Sequence, residues 1–166
     1  MRSPRIGILR SMDELALFLL DADSTDALGR ALAARLEAGD TVLLSGDLGA
    51  GKSHLARAII QSRMARHGAV EDVPSPTYTL VQTYRIGGID LVHADLYRLG
   101  DPSELVELGL DEAMGAAICL IEWPDRLDRA PEDALRIALV PDGAGRRATL
   151  SGPERLTVGI EAVAHA

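Results

Sequence analysis

Residues 46–53 read Gly-Asp-Leu-Gly-Ala-Gly-Lys-Ser, and this octapeptide matches G-x-x-x-x-G-K-[ST]. The pattern restricts the fold because it works in one setting, a turn that leaves a buried strand and opens a helix. Both flanks supply that setting. Thr41-Val42-Leu43-Leu44-Ser45 is apolar and shows no alternation, as expected of a strand covered on both faces. From Lys52 to His67, the residues Leu55, Ala58, Ile59 and Met64 recur at helical spacing, and Gly68 ends the run. Glycines let successive N–H groups of the loop turn toward phosphate oxygens, and the helix start adds its positive dipole end. Asp47, Leu48, Gly49, Ala50 and Gly51 are therefore the candidate phosphate cradle. Lys52 is the cation for the β- and γ-phosphates, and Ser53 offers a hydroxyl to a Mg²⁺ that bridges them. A chain of this length meets the pattern by chance on the order of once in two hundred sequences.

Composition bears on that lysine. The 17 basic residues are 16 arginines and Lys52 alone. The exception falls where a compact ammonium suits a phosphate cradle and arginine's broad fork does not. Against them stand 25 acidic residues, for a formal charge of −8. This balance excludes a broad basic surface that wraps a polyanion, while leaving local contacts to RNA open. The 166 residues predict one domain, and 24 alanines against five aromatics predict a core of small aliphatics. Cys119 lies within the apolar run 116–121 and reads as a small core residue. As the single cysteine it cannot form an intramolecular disulfide, which favours a reducing compartment. The run Leu15 to Leu20 is too short for a signal core or a membrane span, so a cytoplasmic location is expected.

Residues 1–11 carry Arg2, Arg5 and Arg10 with little pattern and read as an N-terminal extension, with the domain at 12–166. Residues 16–20 suit a short buried strand or a helix fragment. Ser24 or Asp23 is the expected cap of a helix bearing Ala27, Leu28, Ala31, Leu32 and Leu36, with Gly39 as its stop. Residues 73–79 hold two prolines and three hydroxyl side chains and read as an ordered loop. Leu80 to Ile86 and Ile89 to Leu96, separated by Gly87-Gly88, predict an antiparallel hairpin. A short helix is expected from Ser103 to Leu108, and one further turn at 111–114. The unbroken apolar run 117–121 predicts another buried strand, stopped at Glu122-Trp123-Pro124. A second hairpin is expected from 135–140 and 148–151, and a terminal helix from 154–164.

Several residues stand where they could complete a phosphate site. Glu122 ends a buried strand, the usual position of the carboxylate that holds Mg²⁺ beside such a loop; otherwise it is a solvated acid before Pro124. Trp123 either packs beside a nucleotide or is partly buried in the core. His93 and Asp95 are two apart on one strand and project from one face. For Asp95 the readings are a water-orienting group near the γ-phosphate or a structural hydrogen bond, and for His93 metal chelation is a minor one. Arg98 pairs with an acidic neighbour or touches phosphate. Thr77 and Thr79 sit where switch-like loops place a hydroxyl that senses γ-phosphate and Mg²⁺, or in a plain surface turn.

Taken together, GDLGAGKS at 46–53, SPTYTLVQTY at 75–84, HADLYRL at 93–99 and IEWPDRL at 121–127 resemble the bacterial TsaE family. With Ser24-Thr25 and Leu28-Gly29 the resemblance covers residues 12–151, and Ser53 stands where the family most often has threonine. It implies a compact α/β P-loop fold with a mixed parallel and antiparallel sheet flanked by helices. It implies ATP and Mg²⁺ bound through Lys52 and Ser53, Glu122 as the metal carboxylate, Asp95 needed for hydrolysis, and the loop with Thr77 as a switch. Trp123 would lie close to the nucleotide, and Arg146 would contact it. The implied role is an ATPase that acts on the TsaD–TsaB pair in tRNA threonylcarbamoyladenosine synthesis, with tRNA reached only through those partners. A small-molecule kinase and a nucleotide-gated binding module share the loop and remain alternatives.

Overall fold

The computed structural model describes residues 10–11, 14–68, 70–76 and 78–165. Thr77, a candidate of the sequence reading, lies outside the described residues, as do residues 1–9 of the proposed extension. The strands are β1 (Arg10–Ser11), β2 (Glu14–Leu19), β3 (Thr41–Ser45), β4 (Val81–Ile86), β5 (Ile89–Asp95), β6 (Ile118–Glu122), β7 (Leu135–Asp142) and β8 (Gly145–Ser151). The helices are α1 (Ala22–Arg35), α2 (Lys52–Arg66), α3 (Ser103–Glu107), α4 (Leu110–Ala113) and α5 (Glu154–Thr157). One sheet in the order β1-β2-β8-β7-β3-β6-β5-β4 joins the strands. Its centre, β7-β3-β6-β5, is parallel, and antiparallel strands finish both edges. This is the mixed α/β domain that the sequence predicts.

Side-chain alternation sorts the sheet into two faces. On β3, Val42 and Leu44 join the cluster that holds Leu28 and Leu32 of α1 and Leu55 and Ile59 of α2. Leu43 points the other way, toward Leu105 of α3 and Leu110 of α4. Each face is thus covered, which is why β3 needs no polar alternation. Among the described residues no helix is long and apolar enough to cross a membrane.

Helices α1 and α2 meet at a point that admits no side chain. A Cβ at Gly29 would stand 2.6 Å from the Cβ of Ala58, with the backbone of residues 58 and 59 just behind. Gly29→Val is therefore expected to destabilise the fold by roughly 1–3 kcal/mol, because it overpacks a closed helix contact. Equilibrium denaturation measures this, and an unchanged midpoint would refute the packing argument. The same helix pair is tied by Arg63 of α2, which is buried and donates from Nη1 to the carbonyls of Ala33 (2.8 Å) and Leu36 (3.1 Å) at the end of α1. Burial lowers its pKa from the ordinary arginine value.

Several boundaries differ from the sequence reading; α1, for one, ends at Arg35 with Leu36 as its C-cap, short of the stop expected at Gly39. Asp21, rather than Ser24 or Asp23, caps α1: its carboxylate accepts the Ser24 N–H at 2.9 Å, which leaves Ser24 inside the first turn. Leu80 does not open β4, since it takes φ +65° and turns its carbonyl to the Asp95 N–H at 2.8 Å. The second strand of the last hairpin starts at Gly145, three residues early, because only Gly143 and Ala144 are needed for the turn. The expected terminal helix is split at Val158-Gly159 into α5 and a 3₁₀ segment, Ile160–His165, where a β-branched residue and a glycine with φ +69° cannot sustain it.

Candidate functional site

The carboxyl ends of the central parallel strands and the start of α2 converge on one cleft. On β5, Leu91 belongs to the core under α1 and α2, so His93 and Asp95 project to that same face. On β6, Ile118 and Leu120 do likewise, and Glu122 follows them. The parallel register sets Asp95 beside Glu122 and His93 beside Leu120. All three polar side chains thereby face the first turn of α2, where Ser53 stands.

Ser53, Glu122 and His93 form one chain of hydrogen bonds, and Asp95 stands beside it with a bond of its own. Ser53 Oγ donates to Glu122 Oε1 at 2.7 Å. The other carboxylate oxygen, Oε2, meets His93 Nε2 at 2.7 Å, with the two side chains 2% and 1% exposed. Asp95 Oδ1 accepts the Tyr97 N–H at 3.1 Å. Burial raises the Asp95 pKa above the ordinary carboxylate value; the Tyr97 N–H opposes this, the nearby Glu122 adds to it, and His93 and Lys52 oppose it further.

Lys52 folds back on its own loop. Its Nζ donates to the carbonyls of Gly46 (2.7 Å) and Asp47 (2.8 Å) and lies 4.3 Å from the centre of the Trp123 ring. Burial lowers its pKa, against the pull of Glu122, Asp95 and Asp47. Trp123 leaves β6 with φ +58° and leans on Tyr97, ring centres 4.9 Å apart. It is also packed against the core cluster of Leu43 and Ile121, as the core reading expects, and it lines the cleft described next. From β8, Arg146 Nη2 donates to the Gly49 carbonyl at 3.3 Å. Gly51 must be glycine here: its φ is +106°, and a Cβ would stand 2.5 Å from Arg146 Nη1.

A cleft of about 440 Å³ is lined by Leu48, Gly49, Gly51, Lys52, Ser53, Asp95, Glu122, Trp123 and Arg146, all of them sequence candidates. Asp47 and Ala50 do not line it. Asp47 serves through its carbonyl, and Ala50 is buried behind the loop. Arg98 lines the cleft too, and its guanidinium sits 4.8 Å over the exposed ring of Tyr78. Thr79 is turned to Gln82, whose amide donates to its hydroxyl at 3.0 Å. A larger cleft of about 710 Å³ runs between α3 and residues 127–131. No residue of the phosphate loop enters its wall, so size and chemistry point to different places, and the chemistry decides.

Sequence reasoning missed two contacts. His93 is the buried partner of Glu122, a pairing that depends on the β5–β6 register and has no local signature. His54, the residue after Ser53, lines the cleft and pairs through Nε2 with Asp26 Oδ1 of α1 at 2.7 Å. The donor set fits a Mg²⁺ ion beside phosphates. Such an ion takes oxygen ligands and retains waters, and Ser53 Oγ and Glu122 Oε1 are two oxygens already converging at the base of the cleft. Chelation by His93 is not supported, since its Nε2 is engaged by Glu122.

Comparison with known proteins bears on the whole chain. Residues 19–149 match the family model described as threonylcarbamoyl adenosine biosynthesis protein TsaE. The tRNA threonylcarbamoyladenosine biosynthesis protein TsaE of Bacillus subtilis is 34% identical over 138 residues, 82% of this chain and 84% of that protein. Its counterpart in Nostoc sp. is 36% identical over 147 residues, 86% and 88% of the two chains. A relative in Rickettsia felis is 42% identical over 109 residues, which span 66% of this chain and 62% of that one. Among solved structures, the crystal structure of Bacillus subtilis YdiB superposes with a TM-score of 0.67 at 25% identity, covering 93% of this chain and 97% of that one. With the family model spanning residues 19–149 and relatives at 34% and 36% identity covering more than four fifths of both chains, the chain belongs to the TsaE family.

Proposed function

We propose that the protein binds ATP with Mg²⁺ in the 440 Å³ cleft and hydrolyses it, as the ATPase of the tRNA threonylcarbamoyladenosine machinery in the cytoplasm. The observation that carries this reading is the convergence of Lys52, Ser53, Asp95 and Glu122 on the wall of one cleft at the α2 N-terminus. Loop amides and the helix dipole hold the phosphates. Lys52 exchanges the carbonyls of Gly46 and Asp47 for phosphate oxygens and stabilises charge on the terminal phosphoryl group. Ser53 and Glu122 are the residues that would hold Mg²⁺, which when bound would neutralise phosphate charge. Asp95, buried and with a raised pKa, orients the attacking water and takes its proton. Arg146 fastens the loop to β8 beside the nucleotide.

In this reading the partner is the TsaD–TsaB complex, and hydrolysis permits its repeated turnover. The formal charge of −8 agrees with tRNA being gripped by the partners. The test incubates the purified protein with ATP alone, with small hydroxyl acceptors, and with TsaD–TsaB. Slow phosphate release alone, and stable binding to the complex, are the expected results. Phosphate transfer to a small acceptor would convict the protein as a kinase, and absence of binding to TsaD–TsaB would remove the proposed partner.

A further inference from the structure

We infer that His93 is a positioning residue for the cation site: by holding Glu122 Oε2 it leaves only Oε1 to face Ser53 and the divalent ion. The inference rests on the proposed reading of Ser53 and Glu122 as the cation's ligands. Glu122 as a carboxylate only accepts, so the ring donates through Nε2–H at 2.7 Å while Ser53 Oγ donates to the opposite oxygen at 2.7 Å. The two bonds pull on the two ends of one carboxyl group and fix its plane. A carboxylate so held presents a single oxygen, which suits the octahedral demand of Mg²⁺ and denies the two-oxygen grip that Ca²⁺ tolerates.

The surroundings argue against a merely structural histidine. His93 is 1% exposed, and its Nδ1 has no hydrogen-bond partner among the described residues. Its strand neighbours Val92 and Ala94 and the facing Leu120 are buried and apolar. A leucine here would fill the space without stranding a ring nitrogen. Among the described residues the imidazole's one hydrogen bond is to Glu122, and that contact is what the buried nitrogen is spent on. Partner groups of this kind orient metal ligands and set their affinity.

The test follows binding of AMP-PNP, a non-hydrolysable ATP analogue, through the fluorescence of Trp123, the chain's single tryptophan. Titrations are run in EDTA and at stepped Mg²⁺ or Ca²⁺ on the wild type, His93→Leu, His93→Asn and His93→Gln. In EDTA all four should bind alike, because the loop and Lys52 are untouched. His93→Leu and His93→Asn should need about 10- to 100-fold more Mg²⁺ to reach half of the metal-dependent gain, with a weakened preference for Mg²⁺ over Ca²⁺. His93→Gln, whose amide nitrogen reaches the place of Nε2, should restore the wild-type response. Should the leucine variant fail to fold, the asparagine and glutamine pair carries the comparison. A wild-type Mg²⁺ midpoint and metal preference in the folded leucine or asparagine variant would overturn the inference. If instead the wild type itself shows no Mg²⁺ effect, the reading of Ser53 and Glu122 falls, and this inference with it.

Discussion

Replacing Lys52 by alanine is expected to lower ATP hydrolysis by on the order of 10²–10³-fold, the effect of deleting one preorganised donor from a charge-stabilising site. Nucleotide affinity should fall with it, since the ammonium serves the ground state as well. The fold should survive, because the Asp47 carbonyl is on an exposed residue where water can replace the amine. Lys52→Arg should rescue little: the space between two loop carbonyls and the Trp123 ring is shaped for a point charge, and a planar fork does not fit it. Phosphate release and equilibrium binding on the same preparations check both variants. Normal affinity and rate in Lys52→Ala would remove the phosphate-loop assignment.

For Asp95→Asn the expectation is a loss of turnover by roughly 10²-fold or more, the scale of a lost general base, with nucleotide and partner binding retained. Asparagine keeps the oxygen that accepts the Tyr97 N–H at 3.1 Å, so the local turn is preserved. Stability should move in the opposite direction from activity. The Asp95 pKa is raised in the folded chain, chiefly by burial. The folded state therefore holds this proton more tightly than the unfolded one, and ionisation costs stability as pH rises from the ordinary carboxylate range through the raised value. Asparagine never ionises. The variant's thermal midpoint should match the wild type in acid and exceed it near neutral pH, while hydrolysis is lost. Full turnover in the variant would exclude Asp95 from the chemistry, and a midpoint below the wild type at neutral pH would refute the burial argument.

How much of this was legible in the sequence depended on the range of the interaction. The loop at 46–53 carries its own instructions, because glycine freedom, the lysine and the helix start lie within eight residues. The hairpin around Gly87-Gly88 and the doubly covered strand 41–45 were readable for the same reason. Glu122 and Asp95 were legible as strand-end acids, but their adjacency is a product of the parallel β5–β6 register. His93 against Glu122 and Asp26 against His54 are tertiary pairs between residues 28 or more apart, and no local pattern encodes them. The cap of α1 was misread because aspartate and serine are equally good caps and only geometry chooses between Asp21 and Ser24.

The order β7-β3-β6-β5 also sets a timetable for synthesis. A nascent chain that has emerged as far as α2 owns the whole octapeptide but not its neighbours: β3 is flanked by β6 and β7, whose paired residues lie 78 and 93 positions further along the chain. Pairings of such separation close late. Arg146, which clasps Gly49, arrives later still, on the last strand. A ribosome-bound fragment therefore carries the loop with an open lysine and no cleft. Asp95, Glu122 and Arg146 are added one after another on β5, β6 and β8, so the wall of the cleft is finished only with the strand that brings the clasping arginine.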